Sequence, residues 1–200
     1  YGAYGAIGNG SNTNSTTPVA VSGGLNFNGL ASGVAAHKCG LVNGTAYCWG
    51  LNDAGQLGDG TSTNRNVPTA VLGGLSFSQL AVSGLTTCGL TTSNALYCWG
   101  WAGTAGFGTE ASRGTRVLTP QLIDTGGLTF VKIGLVDDGV CGLTAAGTVH
   151  CRGAGNRGMN LDGSFDQRIV FTQASGGPWK DISATYLGVC TLGMDDRAYC

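Results

Sequence analysis

The stretch Cys88-Gly-Leu-Thr-Thr-Ser-Asn-Ala-Leu-Tyr-Cys98-Trp-Gly100 reads as a hairpin with a cysteine on each arm, and the chain contains four versions of it. The first is Cys39-Gly-Leu-Val-Asn43-Gly44-Thr-Ala-Tyr-Cys48. Asn-Gly is the preferred pair for a two-residue type I′ turn, because both positions need positive φ. With Asn43 and Gly44 at the tip, pairing outward sets Val42 against Thr45, Leu41 against Ala46, Gly40 against Tyr47 and Cys39 against Cys48. Three-residue loops do the same elsewhere. Thr92–Asn94 opposes Cys88 to Cys98, Ala145–Gly147 opposes Cys141 to Cys151, and Met194–Asp196 opposes Cys190 to Cys200.

Opposed residues on antiparallel strands stand about 4.5–5.5 Å apart at Cα, within disulfide reach. Four local bridges are therefore expected: Cys39–Cys48, Cys88–Cys98, Cys141–Cys151 and Cys190–Cys200. In the chain-entropy model each closed loop of this size contributes about 2.5–3 kcal/mol. Structural zinc is the competing use of paired cysteines, but it favours short Cys-x2–4-Cys knuckles. Here an apolar strand separates the partners, so no metal site is expected.

The hairpins begin at residues 39, 88, 141 and 190, a period of about 50. A second segment precedes each one: Gly23-Gly-Leu-Asn-Phe27-Asn-Gly-Leu30, Gly73-Gly-Leu-Ser-Phe77-Ser-Gln-Leu80, Gly126-Gly-Leu-Thr-Phe130-Val-Lys-Ile133 and Gly176-Gly-Pro-Trp179-Lys-Asp-Ile182. Its apolar alternation predicts a half-buried strand. Phe27, Phe77, Phe130 and Trp179 are then equivalent core residues, as are Leu30, Leu80, Ile133 and Ile182. A third segment follows the hairpin, with its fullest copy at Trp49–Thr61 and weaker ones from Gly5, Trp99 and Arg152, including Phe107-Gly108 and Asp162-Gly163-Ser164. Pro18, Pro68 or Pro120 then leads into a short apolar run. No window carries a 3.6-residue apolar period. The chain reads as one all-β domain, residues 1–200, with repeats at about 1–48, 49–98, 99–151 and 152–200. Each repeat has room for four short antiparallel strands, which is the size and punctuation of a propeller blade.

Trp49-Gly-Leu-Asn-Asp-Ala-Gly-Gln-Leu-Gly58, following a Cys-Gly-Leu…Tyr-Cys hairpin, resembles the regulator of chromosome condensation repeat. Kelch repeats share the length and the double glycine but lack Gly-Gln-Leu-Gly. The resemblance implies a β-propeller, usually of seven blades, whereas this chain carries four repeats. The expected architecture is therefore a four-blade array, either open or part of a larger propeller. An open array leaves strand edges able to recruit partners. The family's founding activity, nucleotide exchange on a nuclear GTPase with histone and DNA contacts, is not carried over. It belongs to a complete propeller face in a reducing compartment.

Paired cysteines in every repeat point outside the cell. Three sequons agree, at Asn9, Asn14 and Asn43, with O-linked sugar on the Asn12–Thr17 stretch a further expectation from composition. There is no initiator Met or signal peptide in the sequence, so a processed product or an excerpt of a longer chain is expected. Net charge is −1, which gives no electrostatic case for nucleic acid. No apolar run reaches the roughly 20 residues of a membrane span. Charged residues make up only 10% and glycines number 37, as in a loop-rich surface able to be covered by neighbours.

No catalytic set is expected, and no cofactor. His37 and His150 occupy different repeat positions and read as strand-surface residues. Asp137-Asp138, Asp195-Asp196, Asp162 and Asp166 read as turn-solvating acids. Asp59-Gly60-Thr61 is a turn without the spacing of a calcium loop. Gly103–Gly108 is glycine-rich but is followed by no strand-to-helix transition that could cradle phosphate. The first expectation for function is an extracellular structural protein packing with copies of itself in a fibre or surface layer. The second is a secreted binding module gripping a protein or a glycan, like inhibitor-type propellers.

Overall fold

The computed structural model describes residues 2–103, 114–136, 139–153, 168–185 and 188–200. It is all-β, with four small antiparallel sheets arranged as four propeller blades. Among the described residues there is no α-helix, only a 3-10 turn at Ala3–Gly5. Asp137, Asp138, Asp162, Asp166 and the weak repeat copies at 104–108 and 158–164 lie outside the described residues.

Blade one contains β1 (Gly29–Ala31), β2 (His37–Val42), β3 (Thr45–Gly50) and β4 (Arg65–Ala70) in that order. Blade two contains β5 (Phe77–Ser83), β6 (Thr86–Thr91), β7 (Leu96–Trp101) and β8 (Arg116–Leu122). Blade three contains β9 (Phe130–Val136), β10 (Gly139–Thr144), β11 (Val149–Gly153) and β12 (Arg168–Gln173). Among the described residues, blade four contains three strands: β13 (Trp179–Thr185), β14 (Gly188–Gly193) and β15 (Ala198–Tyr199). Strand order follows chain order throughout, so every connection within a blade is a simple meander.

Blade four thus departs from the four strands expected of each repeat. In the other blades the outermost strand follows the hairpin's second cysteine, as Arg65–Ala70 follows Cys48. In blade four that cysteine is Cys200, and the outer edge of β15 is unpaired among the described residues.

The central hairpins have the register that turn chemistry imposes. Cys39 pairs with Cys48, Cys88 with Cys98 and Cys141 with Cys151. Asn43 and Gly44 take φ of 50° and 85°, as a type I′ turn needs. In the three-residue loops the left-handed position falls to Asn94, Gly147 and Asp196. All four pairs are joined as disulfides, with Cα separations of 4.1–4.2 Å.

A bulge explains how two residues three apart face the same side. Phe77 opposes Thr91 and Gln79 opposes Leu90, so Ser78 is the extra residue of a β-bulge. Val131 and Lys180 take the same place in blades three and four. The bulge returns Leu80 to the face of Phe77, and both are buried there. Their counterparts in blade one differ. Leu30, expected in the core, is 74% exposed, and Phe27 is only half-buried. The cause is position in the array: in blades two to four this face lies against the preceding blade, and among the described residues no blade packs on the front of blade one.

Candidate functional site

Each blade presents two unlike faces. The front face carries the bulged aromatic and the aliphatic residue of the first strand. The rear face carries the disulfide and the alternate residues of the hairpin. In the first internal interface, Phe77, Leu80 and Val82 of blade two pack on Cys39–Cys48, Leu41 and Ala46 of blade one. In the second, Phe130, Ile133 and Leu135 pack on Cys88–Cys98, Leu90 and Leu96. In the third, Ile182 with Trp179 packs on Cys141–Cys151, Leu143 and Val149. The disulfides are therefore components of the blade-to-blade cores as well as staples of the hairpins.

A buried polar clip locks blade one to blade two. The Thr87 hydroxyl donates to the Gln56 carbonyl at 2.8 Å, and the Trp99 indole N–H donates to the same oxygen at 3.0 Å. Since that hydroxyl proton is committed, His37 Nε2–H donates to Thr87 Oγ1 at 2.8 Å. His37 Nδ1 then faces the interior without a partner. Complete burial, helped by the charge of neighbouring Lys38, lowers the His37 pKa from 6.5 to about 3. His37 is therefore a neutral core residue, not the strand-surface residue expected from the sequence. His150 is half-buried, with its Nε2 3.1 Å from the Thr148 hydroxyl.

The loop joining the blades is organised by Asn52. Its Nδ2 donates to the carbonyls of Thr61 and Thr63 at 3.1 and 3.0 Å, while its Oδ1 accepts from Leu57 N–H at 2.9 Å. Asp59 closes the same loop. Partial burial would raise its pKa, but the hydroxyl and N–H of Thr61 and the Arg65 guanidinium outweigh it and hold the carboxyl below its usual range. The Asn side chain of Trp-Gly-x-Asn-x-x-Gly-Gln-Leu-Gly and the backbone carbonyl of its Gln thus hold the inter-blade connection, while the Gln side chain ties its own loop at Ala54 N–H. The sequence offered one signal for this: two amides placed among glycines and a leucine that is itself fully buried.

The four first strands line a shared groove of about 260 Å³, with Leu30, Gln79, Lys132 and Ser183 among its walls. Gln79 pairs with the Ile133 backbone as a strand would, its Nε2 donating at 2.9 Å and its Oε1 accepting at 3.0 Å. At the same position in the next blade, Lys132 forms an ion pair with Asp181 at 2.5 Å.

The two ends of the array leave one copy of each face uncovered. On the front of blade one, Leu30 and Val34 are 74% and 76% exposed. On the rear of blade four, Leu192 and Cys190 are half-buried and Cys200 is exposed. The other six cysteines are 0–1% exposed, each sealed by the blade that follows.

Of the sequon residues, Asn43 is exposed at a hairpin tip, while Asn9 and Asn14 lie in the loop ahead of blade one. Asn9 Oδ1 accepts from Ser11 N–H at 3.1 Å and Asn14 Oδ1 from Gly2 N–H at 2.7 Å. Asp195 accepts from the Tyr199 hydroxyl, and Asp196 pairs with Lys180, so both acids serve the last hairpin. Among the described residues no three His, Cys, Asp or Glu side chains converge as a metal site, and no helix is long and apolar enough to cross a membrane.

Residues 43–90 match the model of the regulator of chromosome condensation (RCC1) repeat. No curated protein sequence matches the chain. Human WBSCR16 superposes with a TM-score of 0.84 at 21% identity, over 96% of this chain and 51% of that one. Yeast RCC1 (Prp20), solved bound to Kap60, gives 0.69 at 19% identity, over 84% and 42%. The CRINKLY WD40 ectodomain of the Arabidopsis thaliana receptor kinase ACR4 gives 0.57 at 20% identity, over 90% and 54%. The chain spans about half the length of these solved structures. Residues 43–90 match a regulator of chromosome condensation repeat, and the chain around them has the fold of a four-blade β-propeller array.

Proposed function

We propose that this chain is an extracellular structural module that assembles end to end with copies of itself. The observation that supports the reading is the blade-to-blade packing, in which the apolar front of one disulfide-stapled blade seats on the rear of the blade before it, three times over. A head-to-tail contact of this sort generates rings or open filaments. Four disulfides suit an oxidising compartment. One protein of similar fold, the ACR4 ectodomain, stands outside the cell. Copies of the chain are the partners this reading names, with glycans carried at Asn9, Asn14 or Asn43; it assigns the chain no catalysis.

The test is light scattering of the purified 200-residue chain across concentration, with negative-stain microscopy. Concentration-dependent oligomers, weakened by Leu30→Asp, support the reading. Isolated four-blade particles at every concentration overturn it. They would favour the second reading, a secreted binding module using the groove along the four first strands. That groove is lined by Gln79, Lys132 and Ser183 among others, polar side chains suited to a protein or glycan ligand.

A further inference from the structure

The three sequons stand in three different settings, and only one leaves its amide free. Asn9 repeats Asp59: Gly8-Asn-Gly-Ser11 matches Gly58-Asp-Gly-Thr61. Asn9 Oδ1 accepts from Ser11 N–H at 3.1 Å, as Asp59 Oδ1 accepts from Thr61 N–H at 3.0 Å. The triplet is pinned to blade one through its middle residue. Gly10 N–H donates to the Asn66 carbonyl at 2.8 Å, and Asn66 Nδ2 donates back to the Gly10 carbonyl at 2.8 Å. Just ahead, a Cβ on Gly8 would stand 2.7 Å from the Trp49 indole nitrogen. Asn9 itself is half-buried.

Asn14 is a loop clasp. Its Oδ1 accepts from Gly2 N–H at 2.7 Å, as Asn64 Oδ1 accepts from Asn52 N–H at 2.7 Å. The following residue is engaged too, since the Ser15 hydroxyl donates to the Thr17 carbonyl at 2.6 Å.

Asn43 is exposed, as is Thr45, the hydroxyl residue of its triplet. Among the described residues its amide enters no hydrogen bond. The hairpin tip keeps its shape without that amide. Asn43 and Gly44 close the turn at φ of 50° and 85°, values that asparagine and glycine tolerate best. The Gly44 carbonyl accepts from Phe77 N–H at 2.8 Å. Val42, Asn43 and Thr45 belong to none of the three inter-blade cores. A bulky, hydrated group at this tip is therefore compatible with every blade contact.

We propose that Asn43 is the N-glycan acceptor of this chain, while Asn9 and Asn14 keep their side chains for holding the loop ahead of blade one. This rests on the extracellular part of the reading above and selects among its three sites. The donor is an oligosaccharide carried on a lipid pyrophosphate. Asn43 Nδ2 attacks C1 of the first sugar and an N–C bond forms. The bond from C1 to the pyrophosphate oxygen breaks, the lipid pyrophosphate leaves with the electron pair, and Nδ2 gives up one proton. Nothing is oxidised or reduced. The sugar then projects from the end of blade one, where the hairpin meets the lead-in to β5, and leaves the packing faces clear.

The test secretes the chain from insect cells behind an added signal peptide. Peptide-N-glycosidase in 18O water then marks each occupied asparagine as labelled aspartate for peptide mapping. Label is expected at residue 43 and not at 9 or 14. Thr45→Ala leaves the Asn43-Gly44 turn in place and should erase both the label and the glycan mass. Amide exchange at Phe77, whose N–H reads the tip, should be equal in the glycosylated parent and in sugar-free Thr45→Ala. Faster exchange in the parent would mean that the sugar does not fit the native turn, and overturns the proposal. So does secreted protein with four bridges and a bare Asn43, or label at Asn9 or Asn14 in its place; the extracellular reading survives those results. Retention inside the cell with free cysteines overturns both together.

Discussion

The Phe77 ring lies flat on Gly89: a Cβ built on that glycine would stand 2.5 Å from Phe77 Cδ1. Phe27 stands in the same relation to Gly40, and Phe130 to Gly142. The glycine of each Cys-Gly-Leu is thus a seat for the bulged aromatic of the neighbouring strand. Blade four exchanges both members: Thr191 follows its first cysteine, and the larger Trp179 packs instead on Tyr199, with ring centroids 5.1 Å apart. Gly89→Ala should therefore destabilise by about 1–3 kcal/mol through overpacking, although its backbone is ordinary strand. Thermal unfolding checks this. Thr191→Gly in blade four should lack any matching gain, and a Gly89→Ala protein melting with the parent would show that the ring can move aside.

The disulfides should differ in how readily they are reduced. Attack on a disulfide needs access to a sulfur. Six cysteines are 0–1% exposed, whereas Cys190 is half-buried and Cys200 is exposed. Mild reductant without denaturant, followed by alkylation and peptide mapping, should label Cys190 and Cys200 first and leave the three internal bridges intact. Labelling of an internal pair first would contradict the sealing of rear faces by following blades. Association should slow the labelling of Cys190 and Cys200.

Leu30 and Leu80 occupy one repeat position and should respond oppositely to the same substitution. Leu80 is 8% exposed, in the core between blades one and two. An aspartate there buries an unpaired charge, at a cost of about 3 kcal/mol or more, and should abolish secretion of folded protein. Leu30→Asp, at a residue 74% exposed, should fold and be secreted like the parent while losing self-association. Normal secretion of Leu80→Asp would remove Leu80 from the core.

The array was legible in the sequence where local chemistry decides it. Asn43-Gly44 and the three-residue loops dictate the hairpin register, and the register opposes the cysteines. Neither depends on anything distant. What depends on neighbouring blades was not legible. Leu30 and Leu80 look alike in sequence, and only the presence of a preceding blade separates an exposed leucine from a buried one. His37 sits beside Lys38 on a strand and gives no local sign that Thr87, fifty residues on, closes over it. The outer strand of a blade comes from the next sequence repeat, so the sheets Gly29–Ala70 and Phe77–Leu122 run out of phase with the 50-residue unit.

The neutral state of His37 makes stability depend on pH. Its folded pKa, about 3, lies below the 6.5 of the free side chain. Between those values the unfolded chain binds a proton that the folded chain refuses, so folding is favoured above pH 6.5 and loses ground as pH falls toward 3. The slope from one such group is at most about 1.4 kcal/mol per pH unit. Urea unfolding midpoints at pH 7.5, 6, 5 and 4 should fall more steeply for the parent than for His37→Thr, which installs the residue that blade two carries at the equivalent Thr86. Parallel profiles would mean that His37 is protonated in the folded state.

Asn52 should be among the costliest side chains to remove from the inter-blade loop. It is 0% exposed, and its amide satisfies two carbonyls and the Leu57 N–H, groups the loop cannot pair otherwise. Truncation to alanine strands them in the interior, at about 2–4 kcal/mol. Leu57 is fully buried in the core shared with blade two. Loosening its N–H therefore also frees the segment whose Gln56 carbonyl holds Trp99 and Thr87. Asn52→Ala should accordingly lower the melting temperature and speed amide exchange at Thr87 in blade two as well as in the loop. Asn52→Asp keeps the acceptor for Leu57 but turns a carboxylate toward the Thr61 and Thr63 carbonyls and Asp59, and should be no better. Exchange accelerated in the loop alone would separate the loop from the blade contact and leave the clip to His37 and Trp99.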